Sequence, residues 1–147
     1  AGERKIKKKI STMIIYEKKI NLDNIKSCHK FKKECEASKK NFIKKIELYK
    51  KRGKTIAGYA ASAKSSTVFN YCNIGPESIN YIADSTSEKI NKYSPGKHIP
   101  VKSINYFRKN PPQIAILCSW NHKKEIIEKE KKFKKGGGIW ITHVKKA

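Results

Sequence analysis

The spacing of apolar residues changes along the chain, and the changes mark the elements. From Lys5 to Ile20, the residues Ile6, Ile10, Met13, Ile14 and Ile20 recur at approximately helical intervals. This predicts a short helix, or a strand leading into one. Asn21-Leu22-Asp23 breaks that pattern and offers an N-cap. A long amphipathic helix is then predicted from about Asp23 to Lys51, with Leu22, Ile25, Cys28, Phe31, Cys35, Phe42, Ile46 and Tyr49 as its buried stripe and Gly53 as its C-terminal cap. Beyond Gly53 short apolar runs alternate with helical patterns. Thr55–Tyr59 reads as a strand and Lys64–Asn73 as a helix. After the Gly75-Pro76 turn, Ile79–Ala83 reads as a second strand ending at Asp84. Residues 85–101, with Pro95-Gly96 among them, read as a loop, and Ser103–Lys109 as a short helix. Gln113–Cys118 is a third strand, apolar throughout as a strand buried on both faces should be. Asn121–Lys135 is a helix with Ile126, Ile127 and Phe133 inward. Gly136-Gly137-Gly138 closes it before a fourth strand, Ile139–Val144. Strand–helix alternation predicts an α/β fold: a mostly parallel sheet with right-handed crossovers and helices on both faces. The long helix precedes it and covers one face or an edge.

The stretch from Lys54 to Thr67 joins the first strand to the first helix after it through small residues. Small side chains let backbone N–H groups approach an anion, and a helix N-terminus adds partial positive charge. Against the G-x-G-x-x-G template, Gly58, Ala60 and Ala63 stand where the three glycines would. Two of the three are alanine, so spacing alone fits a plain strand-to-helix turn equally well. In such a sheet, ligands bind beyond the carboxyl ends of the strands. Those ends hold Tyr59–Lys64, Asp84, Ser119-Trp120-Asn121-His122 and Thr142-His143. Asp84 lies 26 positions after Gly58, near where the template places a ribose-binding acid; capping its own loop is the competing role. Lys64 is the one base inside the small-residue turn, within reach of a phosphate or simply solvated. Trp120 can stack on a base or sugar, and Asn121 can cap the next helix or border a ligand. His98, in Pro95-Gly96-Lys97-His98-Ile99-Pro100, positions a loop or touches ligand. No Ser-His-Asp set, supported Cys-His pair or metal-ligand spacing emerges, so no catalytic residue and no metal site are assigned.

Composition narrows the partners. The chain has 147 residues, enough for one ordinary domain. No apolar run approaches the roughly 18 residues that span a membrane, and no secretory signal pattern is present. The net charge of +23 would ordinarily point to nucleic acid. Yet of 35 basic residues only Arg4, Arg52 and Arg108 are arginine, the side chain favoured for bidentate phosphate and base contacts. The excess is also uneven. Residues 1–54 hold 19 basic and 6 acidic groups, whereas residues 55–122, which carry the candidate site, hold 7 and 3. Lysine on exposed helix faces accounts for this without a nucleic-acid function. Cys28, Cys35, Cys72 and Cys118 form no C-x-x-C pair, which suits free thiols in a reducing, cytoplasmic setting.

Several separate motifs occur in order: Gly58-Tyr59-Ala60-Ala61-Ser62-Ala63-Lys64-Ser65, Asn70-Tyr71-Cys72, Asp84, Tyr93-Ser94-Pro95-Gly96-Lys97-His98-Ile99-Pro100-Val101 and Ser119-Trp120-Asn121. Together they resemble the C-terminal domain of the S-adenosylmethionine-dependent sugar C-methyltransferases, whose pattern runs Y-G-A-x-A-K-G, N-Y-C, D, P-G-x-H-I-P and W-N. The likeness covers about residues 5–144. It implies a Rossmann-like three-layer domain that binds a nucleotide-linked sugar, with residues 1–20 as a helix or linker from an upstream domain and residues 21–147 as the substrate-binding domain. It places that ligand against Tyr59, Ser62, Ala63, Lys64, Ser65, Asp84, His98, Trp120 and Asn121. It also implies that the methyl-donor domain, a zinc-binding module and the catalytic acid/base residues lie upstream. This chain then carries no cofactor of its own, needs an upstream partner domain for S-adenosylmethionine, and is inactive alone. Ala60 and Ser65 replace glycines of that pattern and enlarge the turn. The alternatives are a Rossmann-type nucleotide-binding module, which wants an intact glycine fingerprint, and a basic nucleic-acid-binding protein, which wants arginine and exposed aromatics.

Overall fold

The computed structural model describes residues 7–144; the expected apolar position Ile6 lies outside them. By its contacts the chain divides at Ala37/Ser38 into two units. The first contains α1 (Lys8–Lys19) and the beginning of α2 (Ile25–Lys51). The Asn24 side chain caps α2, accepting the Lys26 N–H at 2.9 Å. No described residue of this unit is buried. The expected stripe is therefore corrected over its first half. Leu22, Ile25 and Phe31 are 57%, 66% and 68% exposed, Cys28 is exposed, and Cys35 is half-buried. Periodicity reports that a helix is two-sided; it does not report that anything covers the apolar side.

The second unit carries the sheet. Five strands, β1 (Ile56–Tyr59), β2 (Ile82–Asp84), β3 (Val101–Ser103), β4 (Ile114–Leu117) and β5 (Ile139–Ile141), lie in the order β3-β2-β1-β4-β5. Every pairing is parallel. The crossovers contain α3 (Ala63–Tyr71), α4 (Ile104–Lys109), and α5 (Lys123–Lys129) with α6 (Lys131–Lys135). Three layers result, because side chains alternate along each strand. On one face Ile56, Ile82, Ile114, Ile116 and Ile141 pack with Phe42 and Ile46 of α2 and Phe69 of α3. On the other, Ala57, Ala83 and Ala115 form a low floor for aromatic rings: Tyr59 from β1, Phe107 from α4, Phe133 from α6 and Trp140 from β5. Phe107 meets Tyr59 and Phe133 at 5.1 Å between centroids, and Phe133 meets Trp140 at 4.9 Å.

Three local differences from the sequence pattern have physical causes. β3 replaces the expected end of a loop at Val101 and the expected start of a helix at Ser103. It is three residues long, at the sheet edge, and only Val101 is buried, so it has no periodicity to read. β2 begins at Ile82 rather than Ile79: the Asn80 N–H reaches the Ile56 carbonyl at 2.9 Å, but the Ile56 N–H is taken by Asn80 Oδ1 at 3.2 Å instead of by a backbone carbonyl. The single helix expected over 121–135 is a 3₁₀ turn (Trp120–His122) followed by α5 and α6, broken at Glu130. Among the described residues no helix is long and apolar enough to cross a membrane.

Gly58 lets Ile82 of β2 and Phe69 of α3 approach β1 closely. A Cβ there would lie 3.1 Å from Ile82 Cγ1 and 3.4 Å from Phe69 Cζ. Both neighbours are fully buried, so neither can step aside. Gly58→Ala is expected to destabilise the protein by about 1–3 kcal/mol through overpacking, read as a lower midpoint of urea unfolding at unchanged slope.

Candidate functional site

The chain leaves β1 for β2 and β3 on one side of the sheet and returns to β4 and β5 on the other. The order therefore reverses between β1 and β4, the topological switch point where open α/β sheets place ligands. A cavity of about 280 Å³ opens there, bordered by Tyr59, Asp84, Ser119, His122, Glu125 and Lys129. A second, of about 380 Å³, lies on the β2–β3 side between the start of α3 and the loop before β3. Its walls include Ser62, Ser66, Lys89, Lys92 and Tyr93. Residues 60–63 border one or other of them.

The turn between the cavities is braced. Ala60 takes φ +74°, the left-handed region that strains any residue with a Cβ, and donates its N–H to the Ala83 carbonyl at 2.7 Å. The Ala61 N–H then reaches Asp84 Oδ2 at 2.6 Å, while Asp84 Oδ1 accepts the Thr86 N–H at 2.8 Å. Lys89 Nζ donates to the Ala61 carbonyl at 2.9 Å and lies 3.7 Å from Asp84. One carboxylate thus joins the turn after β1 to the loop after β2, and only 8% of its side chain remains exposed. Ser62 caps α3, accepting the Ser65 N–H at 3.4 Å. Ser65 is buried and returns its hydroxyl to the Ser62 carbonyl at 2.6 Å. The two residues that replace glycine are accommodated differently: Ser65 by a hydrogen bond, Ala60 by strain.

The loop before β3 is fastened as firmly. Asn70 Nδ2 donates to the Ser66 and Pro95 carbonyls at 2.8 and 3.0 Å. Gly96 takes φ +78°, and the Asn70 amide occupies the space a side chain would need. Ser94 Oγ accepts the Ile99 N–H at 3.0 Å. The Asn70 and Pro95-Gly96 motifs thereby form one strap across the outside of the second cavity.

Of the sequence-predicted residues, the structure brings Tyr59, Ser62, Ala63, Ser65 and Asp84 to one or other cavity. Lys64, His98, Trp120 and Asn121 line neither. Lys64 is exposed on α3. His98 is an exposed loop residue at φ +53°. Trp120 and Asn121 are exposed in the 3₁₀ turn, and α5 has no side-chain cap. The sequence did not single out Lys89 or Lys92, and Tyr93 entered only as part of a motif with no ligand role, because a loop of 17 residues has no period from which to infer its folded path.

Behind the switch-point cavity sits a buried carboxylate. Glu130, 3% exposed, accepts the Tyr59 hydroxyl at 2.9 Å and two bonds from Arg108, from Nε at 3.0 Å and from a terminal nitrogen at 2.8 Å. Burial, and then the hydrogen bond to Glu130, push the Tyr59 phenol above its ordinary value; Arg108's own hydrogen bonds to Glu130 raise its guanidinium. A signal for this cluster was present. Ile126, Glu130 and Phe133 share one helical face, and a charge on an apolar stripe needs a partner. The cysteines are all free; burial pushes the Cys118 thiol up to about 12.

A parallel sheet whose order reverses, with helices on both faces, defines a Rossmann-like domain. The chain belongs to the C-methyltransferase C-terminal domain family, whose model matches residues 1–144. It is also similar to the C-methyltransferase NovU of Streptomyces niveus, 37% identical over 92 residues. That match covers 63% of this chain and 22% of the relative, so the chain spans well under half the relative's length.

Methyltransferase chemistry implies S-adenosylmethionine for the full enzyme, and the cavity over α3 with the acid that ends β2 does not fit it. Its sulfonium is cationic, whereas Lys89 and Lys92 line the cavity over α3. Its ribose wants a free acid at the end of β2, whereas the Asp84 carboxylate is taken by two backbone N–H groups and Lys89. Among the described residues no cluster of three His, Cys, Asp or Glu is placed to hold a metal ion.

Two outcomes follow from the turn and the buried carboxylate. Ala60→Gly should relieve the left-handed strain and raise stability by roughly 0.5–1 kcal/mol, seen as a higher unfolding midpoint. Tyr59 holds its proton more tightly folded than unfolded. Its contribution is therefore complete below about pH 10, the ordinary tyrosine value, and is lost as pH rises beyond it. Tyr59→Phe should lower stability at neutral pH by about 1–3 kcal/mol, the worth of a hydrogen bond to a charged group. It should also flatten the alkaline fall in denaturant-derived stability relative to the parent.

Proposed function

We propose that this chain is the nucleotide-sugar-binding part of a sugar C-methyltransferase, holding the acceptor while the methyl donor is bound elsewhere. The observation that carries this reading is the braced turn at the switch point, with a cavity on either side. A nucleotide-linked sugar has that shape: two bulky ends joined by an anionic diphosphate. Laid across residues 60–63, its diphosphate would meet the Ser62 hydroxyl and the first amides of α3, which lack intrahelical partners. Asp84 contributes by holding the turn in the receiving conformation. The switch-point crevice, with Ser119, His122 and Glu125 at its border, presents the hydroxyl, imidazole and carboxylate groups that sugar hydroxyls pair with.

In this proposal S-adenosylmethionine and the catalytic groups come from chain of the kind the relative carries beyond the matched 22% of its length. A reducing compartment such as the cytoplasm suits four free thiols.

Calorimetric titration tests the reading. Thymidine diphosphate-glucose or uridine diphosphate-glucose should give a saturable 1:1 signal, and S-adenosylmethionine should give none. Saturable binding of the methyl donor, with silence from both nucleotide-sugars, would overturn it.

A further inference from the structure

The two cavities beside the turn differ in charge and in what borders them, and the difference orients a ligand. The switch-point crevice presents two acids, Asp84 and Glu125, against one lysine, Lys129, with His122 Nδ1 3.7 Å from the Glu125 carboxylate. A diphosphate pushed into it would face more carboxylate than ammonium. The cavity on the β2–β3 side presents Lys89 and Lys92 against one acid, Glu88. Lys89 is held in place by the Ala61 carbonyl and Asp84. Lys92 has no ion pair among the described residues. Beside it stands Tyr93, a residue 67% exposed.

Lys92 and Tyr93 do not sit on a loose loop. The Val101 N–H donates to the Lys92 carbonyl at 2.8 Å, and the Asn91 N–H to the Val101 carbonyl at 2.9 Å. Tyr93 bridges Pro100, and the Ser94 N–H meets the Ile99 carbonyl at 2.9 Å. With Asn70 strapping Pro95 to α3, the segment is a short hairpin fixed to an edge strand. A cation and a flat exposed ring are thus held at the mouth of one cavity. Ala61, Ala63 and Val101 supply its apolar lining.

We propose that this cavity takes the nucleoside diphosphate half of the ligand. The Tyr93 ring stacks on the base, and the Lys92 ammonium, with Lys89 and the Ser62 and Ser66 hydroxyls, receives the phosphates. The switch-point crevice is left to the sugar. The assignment rests on the nucleotide-sugar reading and deepens it. It makes Lys92, rather than the exposed Lys64, the phosphate cation, and Tyr93, rather than Trp120, the stacking ring.

The probe is thymidine diphosphate, titrated into the intact chain and its variants, with circular dichroism as the folding control. Lys92→Ala and Tyr93→Ala alter exposed side chains. Each should weaken binding roughly tenfold, the scale of one charge-assisted phosphate contact or one base–aromatic stack. Tyr93→Phe should restore the parent affinity, which a merely hydroxyl-mediated role would not. Lys64→Ala should bind like the parent. If thymidine diphosphate binds the parent and both alanine variants equally, the cavity assignment falls while nucleotide binding stands. If neither thymidine diphosphate nor its glucose conjugate binds the parent, both fall together.

Discussion

Burying the Glu130 carboxylate is the constraint around which the carboxyl-terminal half of the sheet unit is arranged. A charge at 3% exposure is tolerated only when its lone pairs are satisfied. Three donor atoms from two elements meet it: the Tyr59 hydroxyl at the end of β1, and two nitrogens of Arg108 on α4. The break between α5 and α6 falls at that residue. The aromatic layer of Tyr59, Phe107, Phe133 and Trp140 then closes over the alanine floor of the sheet. Arg108 is 45% exposed, so the pair is wet on one side, and its worth lies more in fixing geometry than in Coulomb energy.

A second carboxylate acts on the other side of the same strand end. Asp84 draws in the Ala61 N–H, the Thr86 N–H and Lys89. The carboxyl end of β1 is consequently gripped through its side chain at Tyr59 and through its backbone at Ala61. Residues between those two points cannot drift, which is why Ala60 is held at φ +74° despite its Cβ. Strain of this kind persists only where the surroundings over-determine the backbone. Here they do so at the switch point, between two cavities. A turn that must meet a ligand without rearranging is best built in this way, because ordering it on binding would subtract from affinity.

The layers of this fold were legible in the sequence for a physical reason. β1 and β4 are buried along their whole length, and burial on both faces is written as an unbroken apolar run. The short α3 was legible from its small-residue start. What escaped was structure that depends on closure between distant segments. Nothing local marks Val101–Ser103 as a strand; it becomes one by pairing with β2. Lys89 is an ordinary lysine until the loop folds back and sets it on the Ala61 carbonyl. The stripe on α2 failed in the opposite sense. Its period was real through Ile25 and Phe31, yet no described residue in the first unit is buried.

The lysine-rich composition also becomes intelligible at Arg108. Where a cation need only keep a helix face solvated, an ammonium and a guanidinium serve alike, and this chain uses lysine almost throughout. At Glu130 they are not alike. Two nearly parallel bonds to the two oxygens of one buried carboxylate need a planar fork. An ammonium would approach as a point and could not make both bonds of that fork at once. Charge number therefore says little about what this protein binds, since most of its lysines are exposed. Charge geometry says more: the fork at Arg108 fixes one side of β1, and the ammonium of Lys89 fixes the turn that follows it.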